Sequence, residues 1–226
     1  MVKTAVILAA GLGSRLNERT KVTPKGFLEL GGLPLVERSI LNLLEAGIDK
    51  IWIGIGYLSE FYEGLAKRYE EVSCVHNAEY AASGSMYTLS KFRNCIHDDF
   101  LLLESDLLYD PAGIKELLYD RRKNVILASG ETLSQDEVYI ETDDHGNLVS
   151  MSKDPASLDR VDAELVGICK VSLGHFQAMC ELSEEIFKTN LRFDYEQAMA
   201  AIAAKHKFAV KKSRITCGAR SIRRSI

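Results

Sequence analysis

No apolar run in this 226-residue chain approaches the ~20 residues that a membrane span requires. The start, residues 1–11 (MVKTAVILAAG), lacks the layout of a secretory signal, because its apolar stretch leads straight into a glycine loop. An excess of basic charge is also missing. Twenty-eight lysines and arginines face 32 acids, for a net charge of −4, which argues against a nucleic-acid binder. The five cysteines, Cys74, Cys95, Cys169, Cys180 and Cys217, include no CxxC pair. That argues against a zinc site and favours buried, reduced thiols in a cytoplasmic protein. No repeat, low-complexity tract or linker divides the chain, so a single domain over residues 1–226 is expected.

What is present is a core-forming content of 46% apolar residues in a strand–helix rhythm. Residues 3–9 read as a fully buried strand and 35–47 as a helix closed by Gly47. Residues 50–57 read as a strand, 59–71 as a helix with Ser59 as N-cap, and 72–77 as a short strand. Residues 83–96 read as a helix, 99–110 as a strand running into acids, and 113–122 as a short helix. Four strand–helix units up to about residue 120 predict an α/β fold with a doubly wound, mainly parallel sheet. The half from about 121 to 226 changes character. Strands are expected at 124–130, 137–153 and 165–172, the middle segment folding back at the turn 143–147. Helices follow at 174–189 and 194–207.

In a doubly wound sheet, ligands sit beyond the carboxyl ends of the strands. The first strand runs into L-A-A-G-L-G-S-R. There Gly11 and Gly13 leave backbone amides open to a phosphate, and Arg15 and Lys25 supply cations. A lone GxG serves as often as a plain tight turn. Residue 16 is leucine, so the third glycine of a dinucleotide fingerprint is lacking. The GxxxxGK[ST] loop is absent too.

The longer string LAAGLGSRLNERT…PKGFLELGGLPL is more specific. It resembles the signature L-A-A-G-x-G-[ST]-R-x(n)-P-K of the nucleotidyltransferases that make nucleotide-sugars and nucleotide-alcohols. In that family a phosphate or phosphonate attacks the α-phosphate of a nucleoside triphosphate and pyrophosphate leaves. The resemblance implies a Rossmann-like nucleotidyltransferase fold. Its nucleotide half would cover about 1–120 and its acceptor half, with the β-hairpin, about 121–226. It implies nucleotide contacts at Leu8, Ala9, Ala10, Gly11, Gly13, Ser14, Arg15, Lys25 and Ser105. Asp106, at the end of LLESD, would bind Mg²⁺, while Glu104 and Asp110 read as solvated loop acids. Ser83, Gly84, Ser85 and Met86 would read the base through exposed amides, although Met86 serves equally well as core. Lys153 would meet the acceptor's phosphate. Arg15, Lys25, Asp106 and Lys153 are thus the catalytic candidates.

The wording around 83–110 and 137–170 looks like the cytidylyltransferase branch that acts on small amino-alcohols. CTP is then the expected nucleotide, and the acceptor is 2-aminoethylphosphonate ahead of phosphocholine. An amine needs carboxylates or aromatic faces, and Tyr139, Glu141, Glu164, Asp194 and Tyr195 are the candidates, each of which also serves as ordinary surface or core. A sugar-1-phosphate nucleotidyltransferase and an inactive nucleotide-binding domain are the competing expectations.

The tail departs from that pattern. Members of the family usually end with a strand W-x-E-I-D whose aspartate is a second Mg²⁺ ligand, whereas this chain carries no acid after Glu196. Codons can be chosen for residues 217–226 whose neighbouring frame encodes Trp-Cys-Glu-Ile-Asp. On that expectation a frame error replaces the motif, and the natural chain runs on, into a further domain.

Overall fold

A computed structural model describes residues 2–13, 22–132 and 137–213. Along them run β1 (Thr4–Ala9), β2 (Glu29–Leu30), β3 (Leu33–Pro34), α1 (Leu35–Glu45), β4 (Lys50–Ile55), α2 (Ser59–Arg68) and β5 (Val72–His76). Next come α3 (Ser85–Ser90), β6 (Phe100–Glu104), α4 (Ala112–Tyr119), β7 (Val125–Ser129), β8 (Tyr139–Thr142) and β9 (Leu148–Ser152). The described chain ends with β10 (Ala163–Val171), α5 (Leu173–Phe187), α6 (Tyr195–Ile202) and β11 (Ala209–Lys212).

The main sheet has the order β11-β7-β10-β6-β1-β4-β5, with β8 and β9 branching from β10. Strands β6, β1, β4 and β5 are mutually parallel, as are β7 and β11. Strand β10 is antiparallel to β6, β7 and β8. The expected mainly parallel α/β sheet is therefore present.

Alternation along the strands divides the core in two. Ala5, Ile7 and Ala9 of β1 pack with α1 and α2, whereas Val6 and Leu8 face α3, α5 and α6. Helix α1 places Val36, Ile40 and Leu43 on its buried stripe, the i, i+4, i+7 spacing of an amphipathic helix. It ends in a Schellman motif. Gly47 has φ +84, Ile48 N–H donates to the Leu43 carbonyl, and Gly47 N–H donates to that of Leu44.

Several boundaries differ from the sequence expectation. The helix expected at 83–96 is α-helical only over Ser85–Ser90 and continues as turns to Cys95. The strand expected at 99–110 stops at Glu104, which frees Ser105 and Asp106 to line a loop. β11 was not foreseen, because four residues with two lysines carry no hydrophobic alternation. Cys169 and Cys180 are buried and Cys74 and Cys95 half-buried, all with free thiols. Burial pushes the Cys180 thiol up to about 12 and the Cys74 thiol to about 11. Cys217 lies outside the described residues. No helix among the described residues is long and apolar enough to cross a membrane.

The turn between β8 and β9 is held by Asp143. Its carboxylate accepts from the backbone and side-chain amides of Asn147 and from His145 N–H, and these bonds hold its pKa at about 2. A carboxyl depressed on folding stabilises the protein above its ordinary value of 3.8, and that contribution is lost as pH falls through about 2. Urea unfolding should show Asp143→Ala less stable than the parent at pH 7, with the gap narrowing below about pH 4. A gap independent of pH would contradict this role.

Candidate functional site

The carboxyl ends of β1 and β6 open into a cleft of about 320 Å³. Leu8, Ala9 and Ala10 form its floor as β1 leaves the sheet, followed by Gly11 and by Gly13 at φ +65. Ser105 N–H donates to the Leu8 carbonyl, so the two strand ends are tied together where they splay. Ser14 and Arg15 lie outside the described residues.

Lys25 and Asp106 face one another across this floor. Lys25 begins the short 3-10 turn Lys25–Phe27, and its Nζ lies 3.7 Å from Asp106 Oδ2. Both side chains are about one-fifth exposed, 22% and 20%. Tyr62 of α2 lies beneath them and is buried. Burial raises its phenol pKa, aided by the charge of Asp106 and opposed by hydrogen bonds with Ser105 and the Gly26 amide. Asp106 offers oxygen donors at a strand end beside a cation, the chemistry a hard divalent ion accepts. Among the described residues no group of three or more His, Cys, Asp or Glu side chains is placed to hold a metal. An ion there would complete its shell with phosphate oxygens and water, as Mg²⁺ commonly does.

The opposite wall corrects the expected base site. Ser83, Gly84 and Ser85 do line the cleft. Their segment, however, is clamped onto the loop before α6. Gly84 N–H donates to the Leu191 carbonyl, Ser85 N–H to Asp194 Oδ1 and Met86 N–H to the Phe193 carbonyl. These three amides are spent inside the protein rather than exposed to a base. The Met86 side chain is fully buried in the core. Ser83 Oγ accepts from Asn77 Nδ2, which also donates to Thr88 Oγ1, so its hydroxyl is fixed from behind.

Asp194 is the hub of this wall. It accepts from Ser85 N–H and Oγ at 3.1 Å and from Lys153 Nζ at 2.9 Å. Gln197 completes the helix start by accepting from Asp194 N–H. Burial pushes the Asp194 carboxyl up, but the Lys153 ammonium and the Ser85 donors outweigh it and leave the pKa below the ordinary value. Tyr195 is buried, and its hydroxyl donates to Glu104 Oε1 at 2.8 Å, which supports the wall rather than presenting the hydroxyl to a ligand.

Of the sequence candidates, Lys25, Asp106, Lys153, Asp194, Tyr195 and Ser105 thus converge on one cleft with the 8–13 segment. Three acceptor candidates do not reach it. Glu164 is buried and accepts from Thr132 N–H and Oγ1, Glu141 accepts from Asp159 N–H, and Tyr139 sits half-buried on β8. Alternation along β8 and β10 gave their faces but not which face meets the cleft. Conversely, Glu104, Glu196, Tyr62, Tyr80 and Thr88 line it and were not singled out as ligands. Glu104 is not the solvated loop acid expected: it ends β6 half-buried, accepts from the Tyr195 hydroxyl and lines the cleft, a place its position at the strand end could have shown. The others are brought in by tertiary packing. Asp110 is a solvent-side residue, as expected, and accepts from Ala112 N–H just ahead of α4.

A family model described as MobA-like NTP transferase domain matches residues 5–154. A 2-aminoethylphosphonate cytidylyltransferase from Lancefieldella rimae is 32% identical over 156 residues, 66% of this chain and 60% of that protein. A choline-phosphate cytidylyltransferase from Haemophilus influenzae is 39% identical over 98 residues, 43% of this chain and 42% of that protein. The matched region therefore spans about half the length of these curated relatives. The solved structure of CTP:phosphocholine cytidylyltransferase from Streptococcus pneumoniae superposes with a TM-score of 0.81 at 20% identity, over 98% of this chain and 95% of that one. At that identity the likeness is one of fold.

The glycines of the site separate stability from function. A Cβ on Gly84 would lie 2.5 Å from the Phe193 carbonyl oxygen, whereas one on Gly11 would meet nothing within 4 Å. Urea unfolding should show Gly84→Ala destabilised by about 1–3 kcal/mol, and Gly11→Ala within about 0.5 kcal/mol of the parent. Equal stabilities would contradict the clamp.

Proposed function

The chain belongs to the MobA-like NTP transferase family, and from that premise we propose that it transfers CMP from CTP to a small zwitterionic acceptor. The acceptor is 2-aminoethylphosphonate in the first place and phosphocholine next. The observation that carries this reading is the charge layout of one cleft. A Lys25–Asp106 pair stands at the strand ends, and a Lys153–Asp194 pair stands on the opposite wall.

The triphosphate lies over the 11–13 backbone. Lys25, with Arg15 from the same motif, offsets charge on the α-phosphate and the departing pyrophosphate. Mg²⁺ fits the oxygen donors of Asp106, and when bound it supplies further screening of the phosphate charge. Lys153 and Asp194 neutralise each other in the free protein. An acceptor with an anionic phosphonate and a cationic amine replaces both halves of that bridge, the phosphonate on Lys153 and the amine on Asp194. One phosphonate oxygen attacks the α-phosphorus as the bond from it to the α,β-bridging oxygen breaks, giving a mixed anhydride of CMP and the phosphonate, and pyrophosphate. The acceptor is already an anion, so no general base is needed. The protein contributes positioning and electrostatic stabilisation.

Pyrophosphate release tests the reading, with CTP, UTP or dTTP each offered 2-aminoethylphosphonate, phosphocholine or glucose 1-phosphate. CTP with an amine acceptor should be fastest. Faster release from UTP or dTTP with glucose 1-phosphate, or nucleotide binding without release, would overturn it. Lys25→Ala and Asp106→Ala should unfold like the parent but lose roughly 10²–10³ in turnover, about 2.7–4 kcal/mol of barrier. Near-parental turnover of either variant would refute its assigned role.

A further inference from the structure

With the amides of Gly84, Ser85 and Met86 spent inside the protein and Ser85 Oγ donating to Asp194, the 83–88 segment still offers a base two hydroxyls, those of Ser83 and Thr88. One amide holds both. Asn77 directly follows β5 and is fully buried. Its Nδ2 donates to Ser83 Oγ at 3.0 Å and to Thr88 Oγ1 at 2.9 Å, which uses both amino protons. Its Oδ1 accepts from Glu79 N–H at 3.0 Å. That third bond decides which way the amide faces. A backbone N–H can only donate, so the atom it meets is the oxygen, and the amino group must face the hydroxyls. Each hydroxyl therefore accepts from behind and keeps one proton to give. Among the described residues none is placed to accept it. Thr88 is 4% exposed, and turning its second lone pair to the cleft would strand that proton in the core. Both protons are best satisfied by acceptors in the cleft.

We propose that Asn77 is a positioning residue for nucleotide choice, fixing the Ser83 and Thr88 hydroxyls as a pair of donors that select cytosine over uracil. The inference rests on the CTP reading above and adds which groups read the base. The O2–N3 edge of cytosine presents two adjacent acceptors. Uracil carries N3–H between two carbonyls, so any two adjacent positions include a donor, and one hydroxyl proton would face that N–H. The place suits a base. A Cβ on Gly56 would lie 2.5 Å from Tyr80 Cβ and 3.0 Å from the Ala10 carbonyl oxygen, so Tyr80 stands against the start of the 11–13 backbone. A nucleotide with its phosphates over that backbone extends its base past Tyr80 toward Ser83 and Thr88, all of which line the cleft.

Calorimetric titration with CTP and with UTP, both in Mg²⁺, reads the preference without needing turnover. The parent should bind CTP more tightly, by roughly 30-fold or more, and Ser83→Ala should cut that ratio by about tenfold. Asn77→Asp reverses the polarity. One carboxylate oxygen still accepts from Glu79 N–H, while the other accepts from both hydroxyls and turns their lone pairs to the cleft. The ratio should then shift toward UTP, whereas a merely structural role for Asn77 would weaken both nucleotides alike. A parent that binds the two equally or prefers UTP, a parental ratio in Ser83→Ala, or an equal loss of both nucleotides in Asn77→Asp would overturn the inference. If Asn77→Asp does not fold, the Ser83→Ala ratio decides. Pyrophosphate release separates this inference from the functional reading. A parent that prefers CTP but releases none with any acceptor sinks the transfer and leaves the inference standing. Release from CTP with a parental ratio in Ser83→Ala sinks the inference alone.

Discussion

At Gly26 the turn that carries Lys25 lies close against the loop that follows β6, where a Cβ would stand only 3.0–3.2 Å from Tyr62 and Ser105, and the charged pair of the cleft is built on that contact. It brings a cation from a loop between β1 and α1 to a carboxylate that follows β6. The sheet order makes this possible, because β1 and β6 are hydrogen-bonded neighbours running the same way. Both strands therefore release their loops at one edge, and charged groups distant in the chain meet at that edge without crossing the core.

The opposite wall depends on a second long-range contact. Asp194 fastens the 83–86 segment to the start of α6, and it also holds Lys153 from the end of the β-hairpin. A half-buried carboxylate with three donors is a stable arrangement, and one of those donors is half-exposed at the cleft. The wall is therefore rigid at Ser85 and exchangeable at Lys153. That asymmetry suits a site in which a ligand must displace one ion-pair partner without unfolding its support. Strand β10 contributes through Gly167, at φ +93, whose lack of a side chain leaves space for the Glu104 carboxylate that Tyr195 engages.

Much of this was legible in the sequence for local reasons. The β1-to-glycine transition and the acid after a run of buried leucines mark strand ends by composition, whereas the proline-lysine pair was picked out by its likeness to the family signature. The parallel order follows from the strand–helix rhythm. The partners of the 83–86 amides were not legible, because Leu191, Phe193 and Asp194 lie more than a hundred positions away and nothing local announces them. Small residues there suggested exposed donors, whereas Gly84 is small because the Phe193 backbone occupies the space a Cβ would need. Tyr139, Glu141 and Glu164 failed as cleft residues because period-two alternation fixes which residues share a face, not where that face points. Tyr62 was not singled out, since only packing brings this residue of α2 to the cleft. The tail, where the family pattern would place a second metal-binding aspartate, lies outside the described residues.

The account stands on the claim that the strand-end cleft binds a nucleoside triphosphate through Lys25 and a metal-assisted Asp106. Calorimetric titration of CTP, with and without Mg²⁺, into the parent protein and Asp106→Ala tests that claim most directly. Mg²⁺ should tighten CTP binding to the parent and lose that effect in the variant. Binding indifferent to Mg²⁺, or a Mg²⁺ effect retained in full by Asp106→Ala, would contradict it.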